Sequence, residues 1–341
     1  MLISHINKPH IFITMGDPSG IGPEVVTRSM ASPEMDGLAV FIILGDAGVI
    51  AKASKGVLDE EYPVYRPGGG GKIELGPHAV NVVDPGPELE NAEPGRPDNE
   101  GSKKALECLE GAVRLMRDIP AGVPRALVTA PLSKERVASV HPGFVGHTEY
   151  LQEAFSSDMV TMVMIGEHLR VVPVTRHIPL REVAAVLTKD LVLRTLEQVA
   201  ENSSLISGKD DAKIGVSALN PHCGEGGKIG TEEIDIISPA VEEAKKRYPG
   251  IIGPVSADVV FTRAMKQEID IVVAMYHDQG LGPFKMVDFD NGVNMTLGLD
   301  YVRTSPDHGT AFDIAGKGIA SPHSMQRAIK LAVNACTGVN V

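Results

Sequence analysis

Three histidines follow short apolar runs of the kind that form buried strands. The runs and the histidines that follow them are LRVVPV (169–174) with His177, KIGVSAL (213–219) with His222, and DIVVAM (270–275) with His277. In open α/β sheets, ligands bind in the crevice beyond the carboxyl ends of the strands. One histidine in such a loop is usually a hydrogen-bonded structural residue, but three of them beside turn-forming residues predict a shared metal site.

Three neutral imidazoles suit a borderline cation such as Zn²⁺ and leave one coordination position open, which is the arrangement of a catalytic site. Magnesium alone would prefer carboxylates and water. Asp258 and Asp278 lie close in sequence to the histidine motifs, and we expect them to support the ligands or to handle protons. We therefore expect one divalent cation per protomer, chosen from Zn²⁺, Co²⁺, Mn²⁺ and Mg²⁺.

A region rich in glycine and proline after the third histidine carries two cations and an amide, Lys285, Asn294 and Arg303. Such a set suits a phosphorylated or carboxylated ligand, because Lys and Arg pair with anionic oxygens. Isolated cations are more often solvated surface residues. Asp288 and Asp290 are also expected to offset part of the Lys285 charge.

The string GHTEYL (146–151) places an imidazole and a hydroxyl side by side, His147 and Thr148. The pair could hydrogen-bond a polar substrate. Thr148 could instead be the N-cap of the helix that opens here, because threonine is a favoured N-cap residue. The residues alone leave both interpretations open.

Short β-branched runs alternate with amphipathic segments along the chain. Strand candidates such as HIFIT, AVFIIL and ALVTA alternate with helical candidates, the longest at 100–118, 189–206, 232–248 and 322–337. This alternation predicts an α/β fold with a largely parallel sheet. The stretch rich in proline, glycine and acidic residues at 84–101 predicts a long surface loop, and loops of that length are usually functional or mobile.

A glycine-rich turn in ITMGDPSGIGPEVV (13–26) joins the first strand candidate to a helix whose first turn carries Pro23 and Glu24. Such a helix start can hold a phosphate or a carboxylate. The turn matches neither the dinucleotide fingerprint nor the P-loop, so a tight turn that only lines the cleft is an equal alternative.

The 341-residue chain has a formal net charge of −12, which argues against a nucleic-acid-binding surface. Its three cysteines are widely spaced and odd in number, as expected in a reducing cytosol. The first residues lack a basic segment followed by an apolar stretch, and the longest apolar runs are too short to span a bilayer. We expect a soluble cytoplasmic protein that binds neither nucleic acid nor membrane.

Several long strings occur in order over nearly the whole chain: GDPSGIGPE, GHTEYL, TRHIPLREV, LNPHCGEGGKIGTEE, GPVSADVVF, YHDQGLGPFK and GVNMTLGLDYVRTSPDHGTA. In these strings the chain resembles the 4-hydroxythreonine-4-phosphate dehydrogenase (PdxA-type) family. It also resembles a sister group that oxidises D-threonate or D-erythronate 4-phosphate. The loop MVDFDNGV (286–293) is more acidic than we expect of the biosynthetic enzymes, and His-Cys-Gly follows Asn220-Pro221.

The resemblance implies an NAD-dependent homodimer whose active site lies at the interface between protomers. The metal ligands would be His177, His222 and His277, drawn from both protomers, with His277 supplied by the second. The substrate-binding residues would be His147, Thr148, Lys285, Asn294 and Arg303. The implied fold resembles isocitrate and isopropylmalate dehydrogenases, with two α/β(α) subdomains and a central cleft. Residues 1–134 and 285–341 would form the cofactor-side domain, and 135–284 the domain for metal, substrate and dimerisation.

The segment HGTAFDIAGKGIASP (308–322) resembles the dinucleotide-binding loop of isopropylmalate dehydrogenases. The residues that this resemblance assigns to NAD are His308, Gly309, Thr310, Asp313 and Gly316. Acidic residues near the loop would disfavour the 2′-phosphate of NADP and so favour NAD; they are Asp300, Asp307 and Asp313.

The activity implied by the resemblance is oxidation and decarboxylation of a 4-phosphorylated 3-hydroxy acid. The substrate would be 4-hydroxythreonine 4-phosphate, in pyridoxal phosphate biosynthesis, or 4-phospho-D-threonate or 4-phospho-D-erythronate. These differ chiefly at C2, an amine against a hydroxyl, and no residue decides between them. Lys285 is the first candidate for proton transfer and His147 the second, although we favour a role for Lys285 as an anion clamp with Arg303.

Two other classes of function are compatible with the same residues. A metal-dependent hydrolase acting on a phosphorylated small molecule could use the three histidines to ionise water, with Asp278 or Glu225 as base. It would leave the loop at 308–322 without a role. A non-catalytic metal-binding protein would leave the substrate-sized set of polar residues unexplained.

Overall fold

The computed structural model describes residues 8–58, 61–67, 76, 78–120 and 122–338. The strands are β1 (His10–Thr14), β2 (Val40–Leu44), β3 (Val64–Tyr65), β4 (Val80–Val83), β5 (Arg125–Thr129), β6 (Thr161–Ile165), β7 (Arg170–Thr175), β8 (Ile214–Ser217), β9 (Ile251–Val255), β10 (Ile271–Tyr276), β11 (Val293–Leu297) and β12 (Val302–Pro306).

The helices are α1 (Gly22–Met30), α2 (Ala47–Ser54), α3 (Asn99–Asp118), α4 (Lys134–Val140), α5 (His147–Ala154), α6 (Val183–Val186), α7 (Lys189–Glu201), α8 (Ser203–Ser207), α9 (Ser238–Lys245), α10 (Ala257–Met265), α11 (His277–Asp288) and α12 (His323–Thr337). Short 3₁₀ segments lie at Pro33–Met35, Leu180–Glu182 and Pro221–Gly227, and a π-helical turn at Glu233–Ile237. The chain forms two compact units, unit 1 (Met1–Asp158 and Leu299–Val341) and unit 2 (Met159–Gly298).

Unit 1 contains six parallel strands in the order β3-β4-β2-β1-β5-β12. Every residue of β1 and β2 is buried, which explains why these strands are apolar throughout rather than alternating. Helix α3 packs against β1, and α12 packs against β12 and β5. Because all six strands are parallel, the loops that follow β1, β5 and β12 leave the sheet at the same edge.

Unit 2 contains six strands in the order β11-β6-β7-β10-β8-β9. Strand β6 is antiparallel to both of its neighbours, whereas β7, β10, β8 and β9 are parallel. Helix α11 packs on β7 and β10, with Phe284 and Leu281 buried against Val171 and Val272. The loops that follow β7, β10 and β8 therefore leave this sheet at one edge.

The predicted α/β class is confirmed, and the sheets are largely parallel, as expected. The long helix predicted at 100–118 is α3, which begins at Asn99 because Asp98 caps it by accepting the N–H of Gly101. The predicted helix at 189–206 is divided into α7 and α8, and the one at 232–248 begins with the π-helical turn. The residues from 84 to 98 contain neither helix nor strand, as predicted for the long loop.

The boundaries between the units differ from the predicted ones, 134/135 and 284/285. They lie after Asp158 and after Gly298. Helix α4 packs against α3, which keeps it in unit 1, and β11 pairs along its length with β6, which keeps it in unit 2. The pairing of β11 with β6 joins segments that are distant in sequence, and composition reveals neither interaction.

None of the helices in the described part of the chain is long and apolar enough to cross a membrane.

Asp288, at the carboxyl end of α11, is a buried carboxylate that fastens the turn between β6 and β7. It accepts the backbone N–H groups of Glu167, His168 and Leu169 at 2.9–3.1 Å, and it lies 3.0 Å from Nδ1 of His168. A Cβ at Gly166 would lie 2.2 Å from this carboxylate, so only glycine fits there. The carboxylate is thus bonded to the hairpin, a role beyond the partial offset of the Lys285 charge that the sequence suggests.

Burial alone would raise the pKa of Asp288, but the hydrogen bonds from His168, Leu169 and Glu167 outweigh it, so the pKa lies below the usual 3.8. A depressed pKa stabilises the fold above the unfolded pKa, and that contribution is lost as the pH falls through the folded one. The helix dipole opposes an anion at this end of α11, so the hairpin N–H groups are what stabilise it.

Asp288→Asn should therefore lower the stability of the protein at pH 7 by about 1–3 kcal/mol, because an amide cannot accept all of these N–H groups. The measurement is the apparent Tm by calorimetry between pH 7 and pH 3. The gap between variant and wild type should narrow as the pH falls below 3.8, the usual pKa of the carboxyl. Asp290→Asn, an exposed change two residues away, is the control; an equal loss in both variants would contradict this role.

Candidate active site

Two of the three histidines come together at the carboxyl ends of β7 and β10. These strands are parallel neighbours, and Thr175 pairs with Tyr276 at their last residues. His177 follows two residues after β7, and His277 is the first residue of α11. Their ring centroids are 5.7 Å apart. The parallel register therefore delivers two imidazoles to one place, as the sequence predicts.

His277 is oriented by its neighbour Asp278. The Nδ1 of His277 is 2.7 Å from a carboxylate oxygen of Asp278, so Nε2 is the nitrogen that this pair presents for coordination. A carboxylate on the second ring nitrogen is a common way to fix the tautomer of a metal-binding histidine. Asp278 is therefore in contact with the imidazole of His277, and its predicted support of a metal ligand stays a prediction.

His222 lies in a loop with an unusual backbone. Residues 222–226 all have left-handed dihedral angles, with φ of 52° at His222, 53° at Cys223 and 44° at Glu225. Such a conformation costs an L-residue about 1–2 kcal/mol, so it persists only where the surroundings impose it. The loop follows β8, which pairs with β10. His222 is exposed in this loop.

Asp258, predicted to assist at this edge, lies near His222 in unit 2. It accepts the hydroxyl of Ser256, and this hydrogen bond is the main reason why the pKa of Asp258 is lowered; positive charge on His222 contributes to the same shift. Asp258 is therefore a carboxylate at neutral pH, suited to orienting an imidazole rather than to donating a proton.

The donors of these three histidines suit a divalent cation, because each is an imidazole and one already has a carboxylate partner. In the described part of the chain, no group of three or more His, Cys, Asp or Glu side chains is arranged to hold a metal ion. The structure thus brings His177 and His277 together and places His222 in a loop from the strand beside β10.

Two predicted substrate residues, Lys285 and Asn294, also belong to unit 2. Lys285 lies on α11, eight residues beyond His277, and its ammonium lies 5.3 Å from the centroid of the Phe289 ring. Asn294 lies on β11, and its amide oxygen is buried without a hydrogen-bond partner among the described residues. Such an atom is rarely left unsatisfied, which points to a ligand donor there.

Unit 1 brings together His147 and Arg303. Arg303 on β12 is only 4% exposed, and its guanidinium donates two hydrogen bonds to the hydroxyl of Thr129 on β5. Burial lowers the pKa of Arg303 to about 10, which leaves it charged at pH 7. Burial also lowers the pKa of His147 well below its usual value, and the charges of Arg303 and Lys134 add to that shift.

His147 is the first residue of α5, and the N-cap is Gly146. Thr148 is therefore inside the first turn, so the structure rules out the alternative in which Thr148 is the N-cap. The result at neutral pH is an uncharged imidazole near a fixed guanidinium, a combination that can hydrogen-bond a substrate and neutralise its anionic group.

The predicted cofactor loop, residues 308–322, is held against α1. Arg28 donates to the carbonyl of Ala320 at 2.6 Å, and Glu24 accepts the N–H of Ala320 at 3.1 Å. The carbonyl of Thr310 accepts the N–H of Ile21 at 2.9 Å. The carboxylate of Glu24, in the first turn of α1, thus bonds to the cofactor loop.

The long loop predicted at 84–101 packs between the glycine-rich turn and the cofactor loop. Gly95 donates its N–H to the carbonyl of Ser19 at 2.8 Å, and a Cβ there would lie 2.9 Å from the carbonyl of Phe312. A cavity of about 660 Å³ adjoins these three loops. Its lining includes Gly20, Arg28, Lys52, Pro94, Gly316 and Gly318.

Some residues at these sites were not predicted. Thr129 holds Arg303, yet ALVTA reads only as a strand, and the contact depends on the pairing of β5 with β12. Glu24 was recognised for its position in α1 but not for its bond to a segment almost 300 residues away. Neither side chain has a local signal that could have revealed its partner.

The comparisons with known proteins agree along the length of the chain. Residues 38–332 match the family described as "Pyridoxal phosphate biosynthetic protein PdxA". The chain is 40% identical over 330 residues to the 4-hydroxythreonine-4-phosphate dehydrogenase of Desulforapulum autotrophicum, covering 96% of this chain and 95% of that protein. The chain belongs to the PdxA family. This confirms the resemblance and the predicted enzyme class, an oxidoreductase acting on a CH–OH group.

Solved structures of dehydrogenases resemble this chain over nearly its whole length. The 4-hydroxythreonine-4-phosphate dehydrogenase of Klebsiella pneumoniae has a TM-score of 0.80 and 33% identity, covering 98% of this chain and 99% of its own. A terephthalate 1,2-cis-dihydrodiol dehydrogenase of Burkholderia xenovorans has a TM-score of 0.67 and 28% identity, covering 97% and 99%. Membership of the PdxA family implies a nicotinamide dinucleotide and a divalent metal in general terms.

The electrostatics of unit 1 predict that Arg303→Met raises the pKa of His147 part of the way toward its usual 6.5, because burial, the larger cause, remains. The measurement is an NMR titration of the imidazoles in protein labelled at histidine. Lys134→Met is the matched control and should give a smaller shift in the same direction. An unchanged His147 titration in Arg303→Met would contradict the proximity of the two groups.

Proposed function

We propose that the chain catalyses the NAD-dependent, metal-dependent oxidation and decarboxylation of a 4-phosphorylated 3-hydroxy acid. The substrate would be 4-hydroxythreonine 4-phosphate, as the names of its relatives suggest, or 4-phospho-D-threonate or 4-phospho-D-erythronate. The observation that carries the proposal is the buried, charged Arg303 near the neutral His147, because a fixed cation in a water-poor setting selects an anionic ligand.

We propose that His177, His222 and His277 hold a divalent cation in a homodimer. The resemblance draws these ligands from both protomers, with His277 from the second, whereas within one chain His277 already lies beside His177, with ring centroids 5.7 Å apart. A cation bound there would act as a Lewis acid that lowers the pKa of the substrate alcohol and stabilises negative charge on its oxygen. The chain's own contribution is orientation: Asp278 fixes the ring of His277, and Asp258 lies near His222. These two carboxylates would position ligands rather than transfer protons.

The proposed homodimer is supported by apolar side chains that unit 2 exposes to solvent. Met286 and Phe289 are 84% and 69% exposed at the end of α11, and Val259 on α10 is 44% exposed. Exposed apolar residues on neighbouring parts of a surface commonly mark contacts between subunits. Two-fold pairing through α10 and α11 would bury them beside the elements that carry Asp258 and His277.

We propose that Lys285 clamps the anionic end of the substrate. It lies on α11 eight residues after His277, which corresponds to about 12 Å along the helix axis. The lysine side chain reaches back toward the start of the helix, so a short phosphorylated acid could contact both Lys285 and the region of His277. Asn294, with its buried amide oxygen, would accept a hydrogen bond from a substrate hydroxyl or ammonium group.

We propose that NAD binds at residues 308–322 and in the adjoining cavity. The cavity volume of about 660 Å³ suits part of a dinucleotide, and Gly316 and Gly318 allow close approach to the backbone. Lys52 and Lys55 also line this cavity, so NADP⁺ is the necessary comparison. His308, Gly309, Thr310 and Asp313 remain the other residues assigned to the dinucleotide.

The test is a substrate panel: 4-hydroxythreonine 4-phosphate and the 4-phosphates of D-threonate and D-erythronate, each with Co²⁺ and either NAD⁺ or NADP⁺. We expect NADH formation and CO₂ release with at least one of them. His277→Ala should lose turnover and bound metal while remaining folded, whereas His141→Ala, an exposed histidine of unit 1, should retain both. Release of phosphate without NADH would indicate the hydrolase instead.

The clamp role predicts a specific kinetic signature for Lys285→Met. Loss of a charged hydrogen bond of about 1.5–3 kcal/mol should raise KM for the phosphorylated substrate roughly 10-fold or more, with a smaller change in kcat. Lys285→Arg should recover most of the affinity, because arginine also pairs with phosphate. A large fall in kcat at unchanged KM, with loss of one limb of the pH profile, would assign Lys285 to proton transfer.

A further inference from the structure

Glu233 is a buried carboxylate that none of the roles above uses. It is 3% exposed and begins the π-helical turn Glu233–Ile237 in unit 2. One of its oxygens accepts the backbone N–H groups of Leu219 and Asn220, at 2.8 and 2.7 Å. The other accepts the side-chain amide of Asn220 at 2.9 Å. A buried carboxylate with three donors is a built structural anchor rather than a solvated acid.

These bonds fall on two of the four residues, 218–221, that connect β8 to the left-handed loop. Asn220 is followed at once by Pro221 and His222, so fixing Asn220 fixes where that loop begins. The amide of Asn220 also donates to Glu232 at 2.6 Å, which adds a second acidic contact on the same side chain. The start of the loop is therefore tied to the π-helical turn by four hydrogen bonds.

The interior of the loop, at Gly224, packs against the carboxylate of Glu233. A Cβ at Gly224 would lie 2.8 Å from the second oxygen of Glu233 and 2.8 Å from the carbonyl of Gly230. The N–H of Ile229 donates to the carbonyl of Gly224 at 3.0 Å, which closes the loop on itself. Gly224 thus has two reasons to be glycine, its left-handed φ of 72° and the lack of space.

Left-handed backbone at three non-glycine residues needs surroundings that impose it. Glu233 accepts the N–H groups at the entry to the loop and lies against its interior at Gly224, so it can hold both. The π-helical turn contributes to this arrangement, because its extra residue shifts the register of the helix and such turns are frequent at functional sites.

We propose that Glu233 is a positioning residue that presents His222 for metal binding. It acts through Asn220 and the loop backbone, and it contacts neither the metal nor the substrate. The inference rests on the proposed metal site. In this role the loop loses its conformational entropy when the chain folds. Metal binding then does not have to order the loop, and the metal affinity is higher for that reason.

The experiment compares Glu233→Gln with Asp235→Asn, an exposed change on the same turn, and with His222→Ala. Co²⁺ affinity of the apoprotein is measured by isothermal titration well below the Tm, and hydrogen exchange is followed for residues 219–230 without metal. Glutamine keeps the size but presents an N–H₂ group to the amide of Asn220. We expect Glu233→Gln to weaken Co²⁺ binding 10- to 100-fold and to speed exchange in the loop, whereas Asp235→Asn changes neither.

The two proposals fail in different ways. If wild type and His222→Ala bind Co²⁺ equally, the histidine site is wrong, and the exchange data still report whether Glu233 holds the loop. If His222→Ala loses Co²⁺ but Glu233→Gln binds like wild type, the positioning role is wrong. Should Glu233→Gln not fold, Asn220→Ser removes the amide contacts alone and is expected to weaken Co²⁺ binding by a smaller factor; an unchanged affinity there would overturn the inference.

Discussion

The parallel register of β7, β10 and β8 is the constraint on which the candidate metal site depends. β7 and β10 end level with each other, so His177 and His277 emerge within one or two residues of the sheet and meet. β8 ends at Ser217, and His222 comes five residues later, too far for the strand to orient it. The third histidine therefore needs a separate device, and the left-handed loop with its buried acidic anchor is what the chain supplies there.

Much of this arrangement could be predicted because it is local. The apolar runs before the histidines, the capped helix α3 and the long loop after β4 all have signals within a few residues. The antiparallel direction of β6 could not be predicted, because an apolar run such as TMVMI does not indicate whether it pairs parallel or antiparallel. Asp288 lies between Val287 and Phe289, and nothing in the nearby sequence indicates that it bonds to the distant residues 167–169. What the sequence does not reveal is which segments remote from one another along the chain pair in the fold.

The same limit applies to unit 1, where burial changes the chemistry of familiar residues. His147 and Thr148 were expected to act as neighbours, but the environment of His147 is set by Arg303, which comes from β12. Arg303 pairs with Leu127 in register, and its guanidinium reaches Thr129, two residues further along the same face of β5. An uncharged imidazole and a buried guanidinium thus arise from sheet geometry, and composition gives no hint of either.

Coenzyme choice shows most clearly why distance along the chain is a poor guide to electrostatics. Asp300, Asp307 and Asp313 favoured NAD because they lie near the cofactor loop in sequence. None of them lines the cavity beside Gly316 and Gly318, whereas Lys52 and Lys55, from the region of α2 at the other end of the chain, do. Arg28 lines it too, but its guanidinium is used to hold the loop carbonyls. Discrimination between NAD and NADP at the ribose 2′-phosphate would therefore depend on the positive charges of Lys52 and Lys55 and the negative charge of Glu24. How close these charges lie to the phosphate is set by the packing of α1, α2 and the loop.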